Sequence, residues 1–506
     1  MKKFILLLTC IFSFTNAFSQ TESRKFIPDS LDAYVEEALA KWKIPGAAIL
    51  IVKDGKIVLV KGYGVREIGK DDKVNENTLF MIGSNTKAFT GTALALLEND
   101  GKISLDDKVI KYLPDFSMND PWVTKELNLV DIVSHRMGME TFQGDFMYWT
   151  SDLTSDEVIE KFGMLTPVYG FREKWGYTNA GYAVAGKIIE KITGKSWSSF
   201  IDERIFTQLG MNRTTALAEE YRKADNIAVP HTLIDNEVKP IPVPAIDNLA
   251  PAGSIGSSVI DMSKWILAQL NMGKLNDEQV IPESVIKKTR EPASITGRTS
   301  HPFNKSHFNL YALGWQLKDY EGRELIEHTG GVNGFVTSVT LVPEENLGVV
   351  ILTNSDQNSF YIAAKWEIID AYLNLPFRDY SNRYYKNFSS RMEKEEKRND
   401  ELRDSVKMNL PTELPFDEYT GKYVNDVYGY INIGRDNELL KMNFEHHSKL
   451  EAKLESLGGN RFLCTFNDPI YGVRTINFTT EGKEVKKFNF GVHPFIEITT
   501  YDFVKQ

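Results

Sequence analysis

Along this chain the spacing of apolar residues switches between helical and strand periods, and each switch marks an element. Residues 30 to 43 carry Leu31, Val35, Ala38 and Leu39 on one helical stripe, which Pro45-Gly46 stops. Ala47 to Val52 and Lys56 to Val60 are apolar strands joined at Asp54-Gly55, a strong hairpin signal. Phe80 to Gly83 leads into a helix over 84–99, rich in Ala and Leu and ended at Gly101. A short helix follows over 126–134. Ala180 to Ile192 and residues 258 to 271 are predicted helices closed by Gly194 and Gly273, the second opened by Ser257 or Ser258. Strand spacing returns at Tyr311 to Leu317, Glu324 to Glu327, Phe335 to Leu341 and Val349 to Leu352, and a helix over 359–373 follows.

That order predicts an α/β (α+β) domain. Segments from both ends complete one central antiparallel sheet, helices cover its faces, and the middle of the chain forms a helical subdomain. Residues 139–172 stand apart, with Phe142, Phe146, Tyr148, Trp149, Tyr169 and Phe171 set among polar residues. They read either as a cleft wall or as a packed excursion. After Pro376 the composition changes. Residues 378–406 are dense in Arg, Lys, Glu and Asp, the pattern of an exposed helix or tether. From Pro411 short strands and turns alternate: Gly421 to Tyr423, Tyr430 to Ile433, Leu439 to Phe444, Lys449 to Leu454, Phe462 to Phe466, Val473 to Phe478, Val485 to Phe490 and Phe495 to Thr499. Eight such strands predict a small, lipocalin-like antiparallel barrel.

Composition adds limits. A chain of 506 residues is too long for one ordinary core. A hydrophobic share of 42% with 25% charged residues is that of a soluble globular protein. Net charge −10 argues against nucleic acid or an anionic membrane surface as a partner. At the N-terminus, Lys2 and Lys3 precede a largely apolar run from Phe4 to Phe14, too short to span a bilayer, and then Ala17-Phe18-Ser19. This reads as a secretory signal over 1–19 with Gln20 starting the mature chain, and it implies a periplasmic location. The alternative is a mobile apolar terminus. Cys10 lies inside the apolar run after Thr9, a poor context for lipidation. The expected divisions are therefore the signal at 1–19, a main domain at 20–376, a charged linker or helix at 377–410 and the barrel at 411–506. Cys464 is the one cysteine left after cleavage, so no intramolecular disulfide can form.

Three polar clusters carry the candidate chemistry. Ser84 and Lys87 are three apart at a helix start and share a face. A serine hydroxyl needs a base to take its proton as it attacks, and a partly dehydrated lysine is shifted toward the neutral form that can accept one. Backbone N–H groups at a helix start point toward the charge that develops. Alone, such a pair is also consistent with a simple helix cap. Tyr177 is a second candidate proton carrier, its phenolate favoured by ammonium neighbours, and Asn179 offers an amide to hold Lys87 or a substrate carbonyl. The plain alternative for Tyr177 is a half-buried aromatic beside Trp175. His328, Thr329 and Gly330 end a strand, where Gly330 and Gly331 let substrate approach the backbone and His328 supplies a positive or hydrogen-bonding group. The alternative there is an ordinary glycine turn. The eight histidines show no zinc-ligand spacing, and no metal or cofactor is implied.

Taken together these motifs closely resemble those of the serine beta-lactamase and DD-peptidase-like hydrolases (the class C beta-lactamase-related group). The match runs through Ser84-Asn-Thr-Lys87, Tyr177-Thr-Asn179 and His328-Thr-Gly330, with flanking likeness at Thr78 to Phe89, Leu129 to Gly138, Pro251 to Ser254 and Tyr311 to Trp315. The likeness spans roughly residues 28–375, and the final region, with Tyr419-Thr-Gly421-Lys-Tyr423, resembles the small barrel often appended to such hydrolases. The resemblance implies a beta-lactamase/transpeptidase-like fold and acylation of Ser84, with Lys87 and Tyr177 handling protons. It implies an oxyanion donor at Asn333 or Gly334 besides Ser84, and no catalytic residue in the barrel. Histidine in the third motif departs from the lysine of class C beta-lactamases. An amide- or ester-cleaving enzyme (peptidase, carboxypeptidase, D-aminopeptidase-like or esterase) is the leading expectation, acting on a small molecule or short peptide. A strict beta-lactamase and a penicillin-binding or sensor protein with little turnover are the alternatives. Homo-oligomerisation is left open, and no stable membrane insertion is expected.

Overall fold

The computed structural model describes residues 26–298, 301–304, 306–437 and 439–506; the signal assigned to 1–19 lies outside them. Helix α1 (Leu31–Trp42) buries Leu31, Val35, Ala38, Leu39 and Trp42 and ends at Lys43, which is left-handed at φ 56°. Strands β1 (Gly46–Lys53) and β2 (Lys56–Gly64) follow. Asp54 and Gly55 both take positive φ, 51° and 72°, the backbone that a two-residue hairpin demands. Helix α2 (Thr86–Asn99) and the short helix α3 (Asp145–Tyr148) come next, then α4 (Ala180–Thr193) and α5 (Val259–Leu270). The return to strand spacing gives β3 (Ser294–Arg298), β4 (Phe308–Tyr311), β5 (Gln316–Tyr320), β6 (Arg323–Val332), β7 (Phe335–Val342) and β8 (Leu347–Thr353). These form one eight-stranded antiparallel sheet in the order β2-β1-β8-β7-β6-β5-β4-β3.

Strand β1 shows how the sheet divides the core. Ala47, Ile49 and Ile51 face one apolar cluster with α1 and helix α6 (Phe360–Tyr372). Ala48, Leu50 and Val52 face the other, which includes the helical subdomain. Period-two alternation thus sends neighbouring residues into different cores. The segment expected as one strand over 311–317 is two, β4 and β5, because Gly314 turns the chain at φ 83° against helix α2; a Cβ there would lie 2.3 Å from the Lys87 carbonyl oxygen. The strand expected over 324–327 runs on to Val332, so His328, Thr329 and Gly330 lie inside it rather than in a turn.

The charged run becomes helix α7 (Tyr380–Lys407), in which only Tyr380 and Ser381 are buried and Tyr384, Tyr385 and Phe388 rest on the apolar core. Trp42 anchors its start through an indole N–H bond to Ser381 Oγ at 3.0 Å. Strands β9 (Gly421–Asn425), β10 (Gly429–Asp436), β11 (Leu439–Phe444), β12 (His447–Ser456), β13 (Arg461–Phe466), β14 (Val473–Glu481), β15 (Glu484–Phe490) and β16 (Tyr501–Lys505) close a barrel in sequence order. The last strand is therefore 501–505, not Phe495 to Thr499. Val504 and Lys505 pair with Val424 and Tyr423 to close the cylinder, which leaves 491–500 free to leave the barrel wall. Cys464 is buried in the barrel, and burial pushes its thiol far above its ordinary value. Barrel and main domain share one apolar cluster: Phe146 of α3 stacks on His447 at 4.8 Å and packs on Phe444, Tyr471 and Phe490. Among the described residues no helix is long and apolar enough to cross a membrane.

Strand β6 is fixed from behind by a buried ion triad. Glu327 pairs with Lys318 of β5 and with Lys365 of α6 at 2.9 Å. Burial works against the Glu327 anion, but the two ammonium groups outweigh it and hold its carboxyl at about 2. Removing one partner of such a network strands charge in a dry interior. Glu327→Ala is therefore expected to cost about 3–5 kcal/mol in a urea unfolding titration; a change under about 1 kcal/mol would mean that water reaches the two lysines.

Candidate active site

Ser84 lies in a single 3₁₀ turn, Gly83–Asn85, just before α2, between a two-residue strand pairing (Phe80–Met81 with Gly256–Ser257) and the sheet. Two side chains lock the turn down. Asn85 Nδ2 donates to Ile82 O and Thr337 Oγ1 at 3.1 and 2.9 Å, and Thr337 Oγ1 donates to Ile82 O at 2.9 Å. Strand β6 presses against it so closely that a Cβ on Gly330 would lie 1.8 Å from Ile82 O. Glycine in the third motif thus lets the motif strand reach the nucleophile turn.

One turn on, Lys87 is fully buried. Its Nζ donates to Ser84 Oγ at 3.2 Å, to Asn179 Oδ1 at 2.7 Å and to Ala252 O at 2.8 Å. Burial drives the amine down to about 7, and the Asp145 carboxyl opposes that fall. Asn179 Nδ2 in turn donates to Asp145 Oδ2 at 2.5 Å, and Tyr148 donates to the other oxygen. Burial pushes Asp145 up to about 8. Near neutral pH the pair bridged by Asn179 is close to the point where one proton moves on or off. Burial thus favours an uncharged lysine beside the serine.

Tyr177 precedes α4, with Thr178 N–H bonded to His135 Nδ1 at 3.2 Å and the His135 ring 4.4 Å from the phenol ring. Lys87 Nζ sits over the Tyr177 ring face, 4.7 Å from its centre, and makes no hydrogen bond to the phenol. Burial consequently pushes the phenol well above its ordinary value, with Ser84 the polar neighbour that favours ionisation. The expected phenolate is not favoured here, because desolvation outweighs a cation placed over the ring. The buried Tyr177 hydroxyl makes no hydrogen bond of ordinary geometry.

His328 lines the same cavity, but both ring nitrogens are engaged. Nδ1 bonds Thr329 O at 2.6 Å, which makes it the donor, and Nε2 then accepts from Tyr311 OH at 2.9 Å. Burial, aided by Lys87, lowers the ring to about 3. A positive His328, one of the forms expected from sequence, is thus excluded near neutrality, and the engaged nitrogens offer substrate no free donor. The β5 pairing of β6 stops at Gln316–Glu327, whereas its pairing with β7 runs to Val332–Phe335. Strand alternation then turns the N–H groups of Thr329 and Gly331 away from β7 and toward the open edge. Gly331 lines the cavity; Asn333 and Gly334 do not. Asn333 Oδ1 accepts from Trp149 Nε1 at 2.8 Å, and Gly334 N–H is spent on Asp356 Oδ2 at 2.8 Å. The candidate oxyanion donor therefore moves from 333–334 to Gly331.

The cavity holds about 260 Å³. Ser84, Tyr177, Asn179, His328 and Thr329 open onto it, with Lys87 buried behind the serine and Gly330 against the nucleophile turn. Its walls are aromatic: Phe142, Trp149 and Trp175, with Phe495 arriving from the barrel. Among the described residues no group of three or more His, Cys, Asp or Glu is arranged to hold a metal ion.

A family profile described as Beta-lactamase matches residues 31–373, well over half of the chain. The chain belongs to the beta-lactamase family. Residues 407–503 match a second family, a domain of unknown function, DUF3471. Similar proteins include the unguisins hydrolase ungD' of Aspergillus campestris, 29% identical over 80% of this chain and 77% of its own length. Protein flp of Staphylococcus aureus is 30% identical over 66% of this chain and 64% of its own length. Among solved structures, the octameric penicillin-binding protein homologue of Pyrococcus abyssi matches with TM-score 0.60 and 22% identity, covering 95% of this chain and all of that one. A D-stereospecific amidohydrolase from Streptomyces matches at TM-score 0.54 and 20% identity, over 67% of this chain and 97% of that one. At such identities the structural likeness fixes the fold, a transpeptidase-like one.

Within this beta-lactamase-family site, sequence reasoning passed over Asp145 and the Ala252 carbonyl, the two groups that complete the surroundings of Asn179 and Lys87. Asp145 sits in the aromatic stretch 139–172, whose composition hinted at a cleft wall, and Ala252 in the Pro251–Ser254 landmark. Nothing local to Phe495 distinguishes it from a strand residue.

Proposed function

We propose that this chain is an exported serine hydrolase that cleaves amide or ester bonds through an acyl-enzyme on Ser84. The observation that carries the reading is the Lys87 amine, driven toward its neutral form, 3.2 Å from the Ser84 hydroxyl at the mouth of an aromatic cavity. Lys87 takes the serine proton as Oγ attacks the substrate carbonyl. The Ser84 and Gly331 N–H groups hold the oxyanion. Lys87, now an ammonium, hands that proton to the departing amine or alcohol, and the neutral Tyr177 hydroxyl donates a hydrogen bond to the leaving atom. Water then attacks the acyl carbonyl with Lys87 again as base, which frees the acid and restores Ser84. The unguisins hydrolase and the D-stereospecific amidohydrolase, both hydrolases by name, support a hydrolytic reaction, and a cavity of about 260 Å³ suits a small molecule or short peptide. The octameric state of the Pyrococcus abyssi homologue supports self-association. The signal-like residues 1–19 support export to the periplasm.

Engagement of both His328 nitrogens favours an aminopeptidase or esterase over a strict beta-lactamase or a carboxypeptidase, whose substrates carry a carboxylate that a free cation would receive. The test is a turnover screen of simple esters, D- and L-peptides and a chromogenic cephalosporin, with fluorophosphonate labelling read by intact mass. Ester or peptide turnover with little cephalosporin hydrolysis is expected. Fast cephalosporin turnover would favour the beta-lactamase reading, and stoichiometric labelling with no turnover would favour a sensor.

A further inference from the structure

The loop 491–500 leaves the barrel between β15 and β16 and enters the main domain at the site. Glu497, 2% exposed, lies at its centre. Its Oε1 accepts the Gly144 N–H at 2.7 Å and its Oε2 the Phe146 N–H at 2.9 Å. Tyr428 donates to both oxygens at 2.9 and 3.0 Å, and Tyr501 donates to Oε1 at 2.6 Å. Four donors from two domains thus meet on one carboxylate. The residue between the two gripped amides is Asp145, which holds Asn179, which holds Lys87. Two residues before Glu497, Phe495 forms part of the cavity wall. A barrel carried only for stability or for binding elsewhere would not place a buried carboxylate at the end of this chain of contacts.

We infer that the barrel is a working part of the active site, with Glu497 the positioning residue that holds Asp145 and, through Asn179, sets both the place and the proton affinity of Lys87. The inference rests on the hydrolase reading above. Its sign can be worked out. The Glu497 anion raises the proton affinity of Asp145, keeping it neutral at higher pH. An ionised Asp145 raises that of Lys87. Removing the Glu497 charge therefore makes Asp145 ionise more readily, retains the Lys87 ammonium to higher pH, and delays the appearance of the base. The titratable groups around Glu497 are Asp145 and Tyr148 on α3, and Tyr428 and Tyr501 from the barrel. The phenols are pushed up by burial, and nearby His447, stacked on Phe146, is held down at about 4, so these keep their charge near pH 7; Asp145, at about 8, and Glu497, which burial pushes up to about 7, are the two that change it.

The experiment measures the second-order rate of Ser84 labelling by a fluorophosphonate against pH, on the full chain, for the wild type and Glu497→Gln. The wild type is expected to show an acid limb near pH 7. In Glu497→Gln the limb is expected to move up by about half a unit or more, with labelling at pH 7 slowed about twofold or more. A limb that stays put overturns the inference, whether or not the rate falls. Tyr501→Phe is the second variant should Glu497→Gln not fold. It keeps both backbone bonds but removes a donor that stabilises the Glu497 anion, and it is expected to move the limb the same way by less. No Ser84 labelling of the wild type would sink the hydrolase reading itself; normal labelling with an unmoved limb in both variants sinks only the role of the barrel.

Discussion

Ser84→Ala is expected to lower turnover of any substrate the wild type hydrolyses by on the order of 10⁴-fold or more, and to abolish fluorophosphonate labelling. The magnitude follows from the division of labour at the site. Without Oγ no acyl-enzyme forms, and what remains is the binding of substrate and the oxyanion donors, which give far less by themselves. The fold should hardly notice. Ser84 is only partly buried, and its hydroxyl accepts one bond, from Lys87 at 3.2 Å. The Asn85 and Thr337 bonds that fix the turn do not involve it. A thermal midpoint close to that of the wild type is expected alongside the lost activity. A label that persists on the alanine variant would place the nucleophile elsewhere.

Lys87→Met carries the second largest effect. It keeps a long apolar side chain in a buried slot but removes the amine proposed to take the serine proton. A loss of about 10²–10⁴-fold in kcat/KM is expected, the usual weight of a positioned acid–base group. The pH profile is the sharper readout. Activity that needs a neutral Lys87 rises as pH passes through about 7. In the methionine variant the residual activity should lose that limb and stay flat through it. A retained limb would assign it to another group, Asp145 first. Stability has its own pH signature. Burial makes the folded chain bind the Lys87 proton less tightly than the unfolded chain, whose lysine titrates at about 10.4. Its contribution to stability therefore grows as pH rises from about 7 toward that value, and the variant should lack this rise. Its price is two acceptors, Asn179 Oδ1 and Ala252 O, left without the Nζ donor, at about 1–3 kcal/mol each. Release from burying an amine offsets part of that.

Much of this architecture was written locally. The stripe Leu31, Val35, Ala38 and Leu39 could form only a helix, and Asp54-Gly55 only a tight hairpin, because helical spacing and positive φ are properties of a few consecutive residues. Ser84 and Lys87 were legible for the same reason: one helical turn joins them whatever the rest of the chain does. Tyr177-Thr178-Asn179 and His328-Thr329-Gly330 were found as motifs, but their meaning depended on the fold. Whether His328 is a cation or a neutral ring held by Tyr311 and Thr329 is decided by burial and by the strand next door. Whether Tyr177 is a phenolate is decided by its burial in the assembled site.

The sequence by itself therefore determined most of the elements, the barrel and the pairing of the candidate nucleophile and base, since each rests on periodicity or on neighbours a few residues apart. Only the tertiary structure decided which groups lose their water and which distant side chains meet. Lys87 owes its depressed proton affinity to a closed interior that no window of sequence contains. Asp145 and Glu497 stand 352 residues apart and come together because barrel and main domain bury one apolar surface between them, and burial is a property of the assembled chain.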